Sequence, residues 1–235
     1  MRYIILAFQS CIRYNIIKRR RDIFAFDWGF KLLSDIERIR SIIDEAGGVA
    51  RTADFNAVGY SNSIVSEMCK NGLIDRVRSG YYTLPQREDN RIYEEHEIAR
   101  LFSDGIVCMD SALFYYEYSD KTPLEWHIAF PRTVTRSRFN IDYPRVRYYM
   151  TQPNIFNLGK TYSDWNGAQL SIYDRERTIC DCFKHKASMD REIFAKAVTA
   201  YASDEKKNLS NLSQYAKKLR VYKKVTELME VLLNG

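Results

Sequence analysis

What this chain has little of narrows its chemistry first. Among 235 residues there are three histidines and five cysteines, Cys11, Cys69, Cys108, Cys180 and Cys182, an odd number, widely scattered and without a CxxC pair. A disulfide framework and a structural zinc site both need more than this, so no metal and no cofactor is expected. Cys180 and Cys182 lie two apart in a helical run, hence on different faces, and read as small hydrophobes. No apolar run approaches the roughly 20 residues of a membrane-spanning helix. The opening MRYIILAFQSCIRYNIIKRRR sets its basic cluster after the apolar stretch, the reverse of a secretory signal. A cytoplasmic protein with no membrane partner is the expectation. There is no glycine-rich phosphate loop or serine elbow, no repeat of 20–50 residues and no coiled-coil seam.

What is present is a globular composition, 46% hydrophobic and 28% charged, which excludes disordered and fibrous classes. The length suits two domains. The net charge of +6 is unevenly spread: Lys+Arg against Asp+Glu number 7 and 2 over residues 1–31, 6 and 7 over 32–85, and 23 and 21 over 86–235. Affinity for an anionic partner must therefore come from the placement of a few cations in the middle segment, or from the flanks.

The pattern predicts an α+β protein: a winged helix-turn-helix followed by a mixed domain with a β-rich middle and a helical end. Residues 1–31 form a basic extension, 32–85 the winged unit, 86–105 a connecting helix around Ile92, His96 and Ile98, and 106–235 the second domain. Leu33, Ile36, Ile39, Ile42 and Ile43 recur at helical spacing, with Ser34 as cap and Gly47-Gly48 as stop. Thr52 caps a second short helix ended by Gly59, and Ser61 caps a third over Asn62–Asn71, closed by Gly72. LIDRVR and YYTLP flank Ser79-Gly80, a hairpin turn dipeptide. Farther on, VCMDSALFYYEY, LEWHIAFPR, VRYYM and LSIYD have β texture. Arg175–Lys186, Arg191–Ala202 and Leu209–Leu233 read as helices.

Order helix, helix, helix, hairpin is that of a DNA reader. In the third helix Ile64, Val65 and Met68 are expected inward, and Asn62, Ser63, Ser66, Glu67 and Lys70 outward. Asn62 can bond an adenine edge bidentately, and the exposed amides of the helix start suit phosphate. The hairpin is expected to project Arg76, Arg78 and Tyr81 as a wing toward a phosphate strand or the minor groove. With Thr52 and Ser61 at the helix starts, these make up the candidate DNA-binding set. Glu67 would repel phosphate and argues the other way.

No catalytic site is expected. Asp174, Glu176, Asp181 and Lys184 suggest comparison with a metal-dependent nuclease, but Asp174 reads as a helix cap and Arg177 with Asp181 as a surface i,i+4 ion pair. RTVTRSRFNIDYPRVRYY mixes arginines with aromatics, a composition suited to nucleic acid or, more simply, to a polar-out strand pair. Lys217, Lys218, Arg220, Lys223 and Lys224 read as a solvated helix face.

The stretch GYSNSIVSEMCKNGLIDRVRSGYYTL, with LSIYDRERTICDCFKHK, DREIFAKAV and YAKKLRVYKKV farther on, resembles the AbiEi-type antitoxins of type IV, abortive-infection toxin-antitoxin systems. The resemblance covers some 200 residues and leaves out the first 31. It implies a non-enzymatic cytoplasmic antitoxin and transcriptional repressor acting in phage defence. Its winged helix would bind double-stranded DNA, the inverted repeats of its own operator. Its second domain would counteract a nucleotidyltransferase-like toxin without a stable complex. Two other readings stay open: a winged unit used only for protein contacts, and a restriction-type nuclease.

Overall fold

The computed structural model describes residues 25–85 and 94–234. The basic cluster Lys18–Arg21 and the connection around Ile92 lie outside these. The chain divides into two compact units, Met1–Ser41 and Ile42–Gly235; the first helix among the described residues is α1 (Ala25–Glu45). It begins well before Ser34, which is therefore an interior helical residue and not the expected cap. It ends, as expected, before Gly47-Gly48.

The winged elements follow. β1 (Ala50–Arg51) leads into α2 (Thr52–Ala57), α3 (Asn62–Lys70) and the hairpin β2 (Asp75–Arg78) and β3 (Tyr81–Thr83). The cap of α2 is Arg51, whose N–H is held by Asp54, and Thr52, expected as the cap, is its first helical residue. Between α2 and α3 Gly59 takes φ +96°, a turn that any Cβ would strain. Gly80 at φ +77° does the same in the hairpin. The strands pair antiparallel in the order β1-β3-β2, with Ala50 opposite Tyr82 and a bulge between Arg76 and Arg78. A strand of two residues carries too little alternation to be read from sequence. Phe55, Val65, Met68, Ile74 and Tyr82 are buried here, and the Phe55 and Tyr82 rings meet edge to face at 6.1 Å. Ile64, expected inward, is 41% exposed.

The rest is a mixed five-stranded sheet with helices. α4 (Glu94–Leu101), β4 (Ile106–Val107), α5 (Met109–Tyr115), β5 (Trp126–Pro131), β6 (Val146–Thr151), α6 (Pro153–Phe156), β7 (Lys160–Trp165) and β8 (Ala168–Tyr173) precede four helices, α7 (Arg175–His185), α8 (Arg191–Ser203), α9 (Leu209–Lys218) and α10 (Tyr222–Asn234). The strand order is β6-β5-β4-β8-β7, with β4 parallel to β8 and β5 parallel to β6. One hydrophobic cluster joins Val49 to α4, β5 and β8 through Ile98, Leu101, Phe102, Ile128, Phe130 and Ile172. A second joins α5 and the four last helices, and a third gathers Ile106, Cys108, Met109, Ala129 and Tyr173.

Three expectations are corrected. MDSALFY is helix α5, not strand, since Met109, Ala112 and Leu113 share one buried face. RTVTRSRF is not half of a strand pair: Arg136–Phe139 is a 3-10 turn and only Val146–Thr151 is extended. The single helix Leu209–Leu233 is two, because Arg220 takes φ +60° while Leu219 N donates to Tyr215 O at 2.8 Å and Val221 N to Ala216 O at 2.9 Å. That is a Schellman-type stop built without the usual glycine.

Candidate nucleic-acid interface

Every expected contact residue of α3 stands outward. Asn62, Ser63, Ser66, Glu67 and Lys70 are exposed, and Val65 and Met68 face in. The helix start is held in place: Ser61 Oγ accepts from Ile64 N at 3.4 Å and lies 2.8 Å from Ser63 Oγ. With its amide nitrogen turned to Tyr60 O at 2.7 Å, Asn56 of α2 also donates to Asn62 Oδ1 at 3.2 Å, which braces a side chain suited to an adenine edge. Lys70 supplies a cation in the last turn.

The hairpin does not behave as a free wing. Arg76 is exposed, beside the exposed Asp75. Arg78, expected to project, is half-buried: Nη2 donates to Leu101 O at 2.5 Å, and the guanidinium lies 4.1 Å from the Tyr81 ring centroid and 5.6 Å from that of Phe102. Tyr81 is half-buried and packs against the α4–sheet cluster. Both residues fasten the hairpin to the sheet domain. Thr52 has a similar fixing part, since its N–H donates to Gly80 O at 3.0 Å and its Oγ1 is 3.5 Å from that oxygen.

A second clamp joins α2 to α4. Asp54 accepts from Arg51 N at 2.7 Å and pairs with Arg100. Burial works against its charge, but the hydrogen bonds from Arg100 and Arg51 outweigh that and hold the carboxyl below its usual range. Thr83 Oγ1 donates to Gly48 O at 2.9 Å. Sequence reading missed these clamps. Arg78 to Leu101 spans 23 residues and Asp54 to Arg100 spans 46, and an arginine intended for a buried carbonyl looks in sequence like one intended for phosphate.

The acidic group considered for metal does not converge. Asp174 caps α7 by accepting from Arg177 N at 2.8 Å. Glu176, buried, accepts from Tyr201 Oη at 3.2 Å and Asn208 N at 2.7 Å. Asp181 accepts from Arg177 Nε at 3.0 Å. This last pair, expected on the surface, is buried, with side-chain exposures of 1% and 8%. Arg177 also donates from Nη1 to Ile155 O and Leu158 O, at 2.7 and 2.9 Å, and lies over Tyr173. Among the described residues no group of three or more His, Cys, Asp or Glu is arranged for a metal. Cys108, Cys180 and Cys182 are buried, and burial pushes their thiols up. No helix among the described residues is long and apolar enough to cross a membrane.

Of the arginines in the aromatic stretch, Arg138 is engaged bidentately with Asp104 at 2.6 Å for each bond, whereas Arg132, Arg136, Arg145 and Arg147 are exposed.

No curated protein matches the chain. In fold it is similar to a solved structure described as that of the RV2827C protein from Mycobacterium tuberculosis, with a TM-score of 0.56 over 92% of this chain and 83% of that one. At 14% identity that likeness concerns the fold alone. Residues 37–85 match the family described as "Transcriptional regulator, AbiEi antitoxin", and this segment holds α2, α3 and the hairpin. The resemblance read in the sequence is thus borne out over residues 37–85, where the chain is similar to the transcriptional regulators of the AbiEi antitoxin type.

Proposed function

We propose that this chain is a cytoplasmic antitoxin and transcriptional autorepressor, which binds inverted repeats in its own promoter and opposes a cognate nucleotidyltransferase-like toxin without a stable complex. The observation that carries the reading is the coincidence of the regulator-family match with an outward α3 start, where Asn62, Ser63 and Ser66 follow the Ser61 cap. A helix start of this kind presents backbone amides to phosphate and short polar side chains to base edges.

On this reading Asn62, Ser63 and Ser66 meet bases, Ser61, Lys70 and Arg76 meet phosphate, and Thr52, Arg78 and Tyr81 position the surface without touching DNA. Residues 32–85 act as the reader, 86–105 as the connection and 106–235 as the antitoxin part. Residues 1–31 supply added positive charge.

A second reading is favoured by one observation: the winged segment is nearly neutral, and its wing is occupied by the sheet domain. The unit would then serve protein contacts only. A gel-shift titration against the chain's own upstream promoter and a scrambled duplex of equal length, at two salt concentrations, separates the two. Preferential, salt-sensitive binding to the promoter supports the repressor, and equal or absent binding removes it. A nucleotidyltransferase reading frame immediately downstream of the gene would supply the toxin for a co-expression test of the antitoxin half, for which restored growth is the expected result; the absence of such a frame would leave only the regulator.

A further inference from the structure

The outward side of α3 carries one side chain that polar recognition does not explain. Ile64, in the first turn, is 41% exposed, although Val65 and Met68 beside it are buried. It is not a frayed position, since its backbone N–H donates to the Ser61 cap. Its neighbour one turn on is Glu67, also exposed and adjacent at i,i+3 spacing. An apolar and acidic flank is unsuited to the phosphate backbone, which attracts cations and repels carboxylates. It is compatible with the floor of the major groove, where the side chains at a recognition helix's start reach base edges. There the thymine C5-methyl is the apolar group on offer. The fastening of Arg78 and Tyr81 to the sheet domain leaves α3 to carry the sequence reading.

Resting on the repressor reading above, we infer that Ile64 is a specificity-determining residue that packs on a thymine methyl group in each half-site. Asn62 and Ser63 then fix neighbouring bases by hydrogen bonds, and Ile64 selects thymine at its own position by excluding water from that methyl.

The test is a fluorescence-anisotropy titration of the full chain on its promoter duplex, with each thymine of the repeats replaced in turn by deoxyuridine, for the wild type and for Ile64→Ala. A scrambled duplex is titrated first. For the wild type, at least one symmetric replacement is expected to weaken binding about fourfold per half-site, the ratio for one buried methyl group, and so about fifteenfold for the two. In Ile64→Ala the same replacement is expected to cost nothing further, which is the signature of a direct contact. If the promoter is preferred over the scrambled duplex but no replacement matters, or if the penalty persists in Ile64→Ala, the inference is overturned while the repressor stands. If the promoter is not preferred, both fall, and Ile64 belongs to a protein contact.

Discussion

Replacing Arg78 by alanine separates a wing that touches DNA from one that holds two parts of the protein together. The guanidinium gives Leu101 O a charge-assisted hydrogen bond at 2.5 Å and stacks on Tyr81 and Phe102. The first is worth about 1.5–3 kcal/mol and the stacking about 0.5–1 kcal/mol. The enclosed Arg78 Nε has no hydrogen-bond partner, which offsets part of that gain, so the expected loss is about 2–3 kcal/mol. For a unit of this size it corresponds to a fall in Tm of about 4–12 °C. Thermal unfolding followed by circular dichroism reads this, with Arg76→Ala as companion. Arg76 is exposed, so its loss should leave Tm unchanged and reduce the salt slope of promoter binding by about one. The reasoning is refuted if Arg78→Ala melts like the wild type and it, not Arg76→Ala, lowers the salt slope.

Three further outcomes are expected. Asn62→Ala should relax preference at one base pair by about 1–3 kcal/mol, without change of salt slope, in a competition assay over all four bases at each operator position. Arg177→Ala should destabilise the sheet domain by about 3–5 kcal/mol, because it leaves Asp181 buried and unpaired; Arg177→Lys should rescue little, since one ammonium cannot serve Asp181, Ile155 O and Leu158 O together, and urea midpoints check both. Burial, aided by the charge of Arg147, pushes His127 from its ordinary 6.5 down to about 4. The unfolded chain therefore binds that proton first on acidification, and the contribution of His127 is full above about pH 6.5 and lost as pH falls toward 4. Raised carboxyls at Asp110, Asp174 and Asp181 act in the opposite sense, so the quantity to follow is the stability difference between wild type and His127→Gln. It should shift against the wild type by about 3 kcal/mol over that interval, and parallel curves would contradict it.

Legibility in the sequence followed the range of the interaction. Ser61 as cap, Gly59 as turn, Ser79-Gly80 as hairpin tip and Asp174 as the start of α7 are local devices, and each was readable because the residue and its backbone partner lie within a few positions. The failures also have physical causes. MDSALFY looks extended because its aromatics are dense, yet burial at three- and four-residue spacing makes it a helix. Arg220 stops a helix in a left-handed conformation that composition assigns to glycine. Arg177 and Asp181 show the i,i+4 spacing of a surface pair, while the carbonyls of Ile155 and Leu158 that make burial tolerable are about twenty residues away. Within the candidate site, the outward positions of α3 were legible from periodicity alone, except for Ile64, which sits at the margin of the buried stripe. The positions of Arg78 and Tyr81 were not, since nothing near them in sequence announces Leu101 or Phe102.

The pairing of Asp54 with Arg100, together with Arg78 on Leu101 O, leaves α3, the helix proposed to read DNA, without a swivel. A head on a slack tether can follow a half-site around the double helix when the spacing changes. A fastened one keeps a fixed rotational phase. Two copies on an inverted repeat would then tolerate an insertion of a whole turn, about 10 base pairs, far better than one of about five, which rotates one half-site to the opposite side of the duplex.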